Sequence, residues 1–157
     1  LIFSTKAYFK TQKYQSLFLG ILIVGLVLTF IQIVLGTQVR QFVDEQTKLI
    51  GYQKELWLSE PKINFYIHRS TSILVLLING FLWYKNKTLK LGFDKINLVM
   101  LCIILEVFTG ILMYYFEFPF LSQPIHLVIA SMLFGVQMYI FLEVSYQKKQ
   151  FKKQLHN

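Results

Sequence analysis

The chain has 157 residues, 55% of them hydrophobic and 17% aromatic, with a formal net charge of +8. A mean hydropathy of +0.50 is more than a soluble helical domain needs to bury one stripe per helix, which argues against an ordinary soluble fold. The positive charge is gathered in clusters between apolar blocks, so it reads as a topology signal, and nucleic acid is not expected as a partner.

The chain opens on Leu1 rather than Met, and no small-residue cleavage site follows the first apolar block. No signal peptide is therefore expected, and the N-terminus is expected to be cut or processed. Lys6, Lys10 and Lys13 precede the first block, residues 17–36. The segment 37–64 follows, with Arg40, Lys48, Lys54 and Lys62 balanced by Asp44, Glu45, Glu55 and Glu60. Gly51 and Pro61 punctuate this loop, and residues 52–58, with Trp57, are expected along the membrane interface. The second block covers 65–84 and leads to a loop holding Lys85, Lys87, Lys90 and Lys95 against Asp94. The third, 96–116, contains the one cysteine, Cys102, so no intrachain disulfide can form. A tight turn between Pro119 and Pro124 leads to the fourth block, 124–143, and a tail with Lys148, Lys149, Lys152 and Lys153. Residues 147–157 read as a solvated helix end, and His156 within them is assigned no function.

Each block approaches the length that crosses a bilayer as a helix, about 20 residues. Each is apolar on all faces, and backbone in lipid must satisfy its hydrogen bonds within the segment. The predicted fold is an all-α integral membrane four-helix bundle, a single domain over 1–157. The three basic clusters share one face, which the positive-inside rule makes cytoplasmic, so both termini are predicted inside.

A faint repeat relates the two halves. Gln32 stands four residues before Gly36 in the first helix, and Glu106 four before Gly110 in the third. Ile67 and His68 open the second helix, and Ile125 and His126 the fourth. Both histidines begin inward-running helices, so at 1.5 Å per residue they share a depth roughly 5 Å below the outer boundary. Two imidazoles at one depth on two helices can serve as trans axial ligands to a haem iron. Zinc would want three or four ligands, and neither cysteine nor carboxylate accompanies the pair. An interfacial hydrogen-bonding role explains one such histidine well, but two at equal depth favour the haem.

Glu106 lies mid-helix, where a charged carboxylate is costly, so it is expected neutral or paired within the bundle. A contact with Gln32, Gln137 or a backbone carbonyl, as glue between helices, is preferred over a role at a haem edge or in proton carriage. Arg40 and Arg69 are the only arginines, both on the outer side. Arg69, beside His68, is the better candidate to grip a haem propionate through paired hydrogen bonds, with snorkelling to lipid headgroups equally in view. Gly36, Gly80, Gly110 and Gly135 allow close helix approach or a slot for a flat ring.

At these residues the chain resembles the C-terminal, four-helix half of the heme A synthase family. The similarity rests on Leu35-Gly36-Thr37-Gln38-Val39-Arg40 with Asp44, Phe65-Tyr66-Ile67-His68-Arg69, Thr109-Gly110-Ile111-Leu112-Met113, and Pro124-Ile125-His126-Leu127 with Ala130. It extends over nearly all of residues 15–145. The resemblance implies two similar four-helix halves, with His68 and His126 ligating a haem b that transfers electrons during oxidation of the haem O methyl group to the formyl group of haem A. In the substrate-binding half of that family a glutamate stands three residues before the first histidine; Phe65 here marks the cofactor half. The outer-loop cysteine pair of some members is absent, so no thiol chemistry is carried over. The expected partners are the haem, the lipid bilayer, and an N-terminal half or second subunit carrying the haem O site, with a homo-oligomer as a further option. The expected location is the cell inner (cytoplasmic) membrane, with the haem site near the periplasmic face. The alternative is a small bis-histidine membrane cytochrome b-type electron-transfer subunit, and a third reading makes the histidines purely structural.

Overall fold

The computed structural model describes residues 2–154, with side chains from 16 to 149. Leu1 and His156 lie outside the described residues, as do the side chains of Lys6, Lys10, Lys13, Lys152 and Lys153. Four helices follow in order: α1 Ile2–Ile50, α2 Ile63–Thr88, α3 Ile96–Tyr115 and α4 Ser122–Gln154. One turn of 3-10 helix, Lys54–Leu56, joins α1 to α2, and no strand occurs among the described residues. All four α-helices are long and apolar enough to cross a membrane. Their outward faces carry large apolar residues such as Leu77, 63% exposed, and Ile104, 56% exposed, a surface that lipid rather than water solvates. The chain is an all-helical, multi-pass membrane protein.

Residues 37–50, expected as loop, continue α1. No glycine or proline interrupts the run between Gly36 and Gly51, and Phe42 and Val43 are buried there while Arg40 and Asp44 are exposed. The helix stops where Gly51 adopts a φ of +68° and donates its N–H to Thr47 O at 3.0 Å. A glycine reaches that left-handed conformation without steric cost, so it ends the helix cleanly.

Each helix packs on its chain neighbours, and α1 closes the ring against α4. The packing differs at the two ends. Toward the α2–α3 loop, Phe18, Leu22, Leu82, Phe93, Ile96, Val99, Ile140 and Val144 form a continuous core, with Phe18 stacked on Phe93 at 5.0 Å. Asn86 secures the loop by donating to Phe93 O at 3.0 Å and accepting from Phe93 N–H at 3.2 Å. In mid-bundle, Gln137 donates to Asn79 Oδ1 at 2.8 Å and so bridges α4 to α2 across the diagonal, both side chains being fully buried.

The opposite end is capped by the α1–α2 connection. Trp57 was expected along the interface with lipid; it turns inward instead, 6% exposed, donating to Gly51 O at 3.0 Å and packing on Phe118 at 5.4 Å. Lys54 Nζ donates to Phe118 O at 3.1 Å. These contacts seat the connection on the α3–α4 turn, where Glu117, Phe118 and Leu121 all have positive φ. Non-glycine residues pay a steric penalty in that region, so the contacts to Phe118 help to hold a strained turn.

Candidate functional site

At this capped end the helices part around a cavity of about 420 Å³. The residues that line it come from all four helices: Gln32, Gly36 and Arg40 of α1, His68 and Arg69 of α2, Glu106 and Gly110 of α3, His126 and Ala130 of α4. The remaining lining is mostly aliphatic and aromatic, with Val75, Ile103 and Leu133 among it and the dense core beyond. The size lies in the range of small-molecule and cofactor sites. His68, His126, Arg40 and Arg69, singled out from sequence, are therefore brought to one space.

The faint sequence repeat has a physical counterpart. A Cβ built on Gly36 would lie 3.2 Å from His68 Cε1, and one on Gly110 would lie 3.9 Å from His126 Cε1. Each of α2 and α4 thus rests its histidine ring against the glycine of the preceding helix. Gly80 and Gly135, flagged with these two, face open space and support no close approach.

The partners of the two rings differ. His126 Nδ1 lies 2.7 Å from Thr109 Oγ1, and its Nε2 lies 3.2 Å from Glu106 Oε2. His68 Nδ1 is buried with no hydrogen-bond partner. Gln32, the counterpart of Glu106, donates instead to the backbone oxygen of His68 at 2.8 Å and accepts from Thr71 Oγ1. Glu106 was expected to meet Gln32, Gln137 or a backbone carbonyl; its partner is His126, because Gln32 serves α2 and Gln137 serves Asn79. The second carboxyl oxygen of Glu106, Oε1, is buried and unpartnered.

Arg69 lies over the Tyr114 ring at 5.8 Å from its centroid, and Tyr114 stacks on Phe65 at 5.5 Å. Arg40 is half exposed, and its Nε sits 3.8 Å from Asp44 Oδ2, longer than a hydrogen bond. Both guanidinium groups keep donors free for an anionic group at the cavity. Among the described residues, no three or more His, Cys, Asp or Glu side chains are disposed to hold a metal ion together, but a carboxylate, expected to be absent, does accompany the pair, since Glu106 contacts His126.

Thr109, named from sequence only within a matching stretch, had been given no role, and Tyr114 and the Asn79–Gln137 pairing had not been anticipated. Thr109 had one available signal: it stands three residues after Glu106, on the same helical face. The Asn79–Gln137 pair had none, since nothing in the chain indicates which buried amides will meet.

The bundle and its cavity define a membrane-embedded four-helix protein built around two facing histidine-bearing helices. The family model COX15-CtaA, cytochrome oxidase assembly protein, matches residues 2–138, and the chain belongs to that family, the heme A synthase family. No curated protein and no solved structure matches it significantly. Membership places the chain in cytochrome oxidase assembly and heme A synthesis, within a family that binds haem.

Proposed function

We propose that this chain is the haem b-binding half of a heme A synthase, with His68 and His126 as the two axial ligands. The observation that carries the reading is the convergence of both imidazoles on one largely apolar cavity between the helices. Three features of the site fit a porphyrin. His68 lines the cavity with an imidazole that makes no ring hydrogen bond among the described residues, so the protein does not commit its nitrogens elsewhere. Gly36 leaves the His68 ring the room a side chain would take, and Gly110 borders the His126 ring at ordinary contact distance. Arg69 and Arg40 offer guanidinium donors for the two propionates.

Phe65 supports assignment to the cofactor half. It occupies the position at which a carboxylate would mark the substrate half, and it is committed to an aromatic stack on Tyr114. When bound, a bis-histidine haem b supplies a one-electron couple, which serves oxidation of the haem O methyl group to the formyl group of haem A. This chain's own residues bind and orient that group, exclude water beneath it through Val75, Ile103 and Leu133, and hold its carboxylates at the mouth. The haem O site belongs to another four-helix half, in a longer polypeptide, a separate subunit or a second copy. Both termini lie on the cytoplasmic side of the inner membrane, and the cavity opens near the periplasmic face, as the basic α2–α3 loop and tail support.

The test is a haemin titration of the purified protein in detergent, followed by a pyridine haemochrome spectrum. The wild type is expected to give a low-spin b-type spectrum. His68→Ala and His126→Ala are expected to insert normally and lose it. Normal spectra from both variants would refute the ligand assignment.

A further inference from the structure

We propose that Thr109 is a positioning residue that holds His126 as an axial ligand through its Nδ1–H, and that the two ligands are therefore unequal. The proposal rests on the haem-binding reading above and goes beyond it by assigning a role to a residue outside the cavity lining.

The argument is one of hydrogen-bond inventory. A neutral imidazole that gives Nε2 to iron carries its proton on Nδ1, and that N–H needs an acceptor when buried. Thr109 Oγ1 stands 2.7 Å from His126 Nδ1. The hydroxyl has a single proton, and the α3 carbonyl of Leu105 accepts it at 2.9 Å, with Glu106 O near at 3.1 Å. With that proton spent on its own helix, the oxygen keeps a lone pair aimed at Nδ1. Thr109 is buried, 7% exposed, so water does not substitute for it. Glu106 Oε2, 3.2 Å from Nε2, meets the other ring nitrogen, the one that would be given to iron.

His68 lacks this arrangement. Its Nδ1 is buried without a partner, and the residue before Gly36, at the place Thr109 takes before Gly110, is Leu35. An outer partner that accepts the ring N–H fixes the tautomer and raises ligand basicity, and its loss typically costs about 10–100-fold in metal affinity. His126 is thus the anchored, stronger donor, and His68 the ligand that yields first.

The experiment compares Thr109→Val, Thr109→Ala and Thr109→Ser with the wild type, each loaded with haemin. Two quantities are read: the rate of haem transfer to apomyoglobin and the midpoint potential of the bound haem. Val and Ala remove the acceptor, and faster haem loss by about 10–100-fold is expected, with a higher potential because ferric iron loses donor strength. Ser keeps the hydroxyl and is expected to restore both. Ala keeps the comparison with Ser alive should Val disturb insertion. Wild-type potential in Val or Ala overturns the proposal, even if haem is lost faster, because the hydroxyl would then act on packing alone. A wild type that binds no b-type haem defeats the haem-binding reading itself. Normal wild-type loading with histidine variants that lose haem, but indifferent Thr109 variants, removes this inference alone.

Discussion

Gly36→Ala and Gly110→Ala form a matched pair that asks whether the ring positions are set by the glycines behind them. The added methyl at residue 36 would lie 3.2 Å from His68 Cε1, 3.7 Å from Nδ1 and 4.0 Å from Nε2. The nearest contact is about 0.3–0.8 Å short of the carbon–carbon optimum, so the ring must turn away. Turning a side chain ~30° off its rotamer costs of order 0.5–1.5 kcal/mol, which corresponds to roughly two- to tenfold in haem affinity. At residue 110 the methyl would lie 3.9 Å from His126 Cε1, an ordinary contact, and that ring is also held by Thr109 and Glu106. Gly110→Ala is therefore expected to change haem affinity less than about twofold. Alanine also favours a helix interior over glycine by ~1 kcal/mol, so neither variant should lose bundle stability. Haemin titration by absorbance gives the affinities, and thermal unfolding in detergent gives the stability control. Equal weakening by the two variants, or wild-type binding by Gly36→Ala, would show the reasoning to be wrong.

The buried amide pair gives a test of stability independent of haem. Gln137→Leu strands Asn79 Oδ1 and is expected to destabilise the bundle by about 0.5–1.5 kcal/mol, measured by denaturant unfolding in mixed micelles. Adding Asn79→Leu should recover part of that loss, since an apolar pair leaves no unpaired group at the contact. Arg69→Gln is expected to weaken haemin binding several-fold, and Arg69→Lys to restore it only partly, because an ammonium cannot make the paired contact of a guanidinium with a carboxylate. Equal affinities of the Gln and Lys variants with wild type would remove Arg69 from propionate binding. Orientation is open to cysteine labelling in a Cys102→Ser background. A membrane-impermeant maleimide applied from the periplasmic side should label Gln53→Cys and spare Lys90→Cys, and the reverse pattern would invert the proposed topology.

The four apolar blocks, their helical state and the two histidines that line the cavity were legible in the chain. Hydrocarbon forces every spanning backbone group to bond within its own segment, so a run of apolar residues specifies a helix without help from its neighbours. The continuation of α1 to Ile50 was less legible. Residues 37–50 mix charged and apolar side chains, and their helical state becomes plain once Phe42 and Val43 are seen packed inside. Trp57 was similarly ambiguous, since an indole suits a headgroup layer as well as a buried contact with Phe118.

The sequence by itself determined what crosses the membrane, because burial in lipid depends on the composition of each segment. Only the tertiary structure decided which side chains meet: Glu106 and Thr109 with His126, Gln32 with the backbone of His68, and Gln137 with Asn79. A helix that is apolar all round has no periodic stripe to reveal its inward face. Its rotation about its own axis is fixed by packing against its neighbouring helices, and that rotation selects the partner of every polar group. Two histidines that look equivalent in the chain therefore end in unequal surroundings.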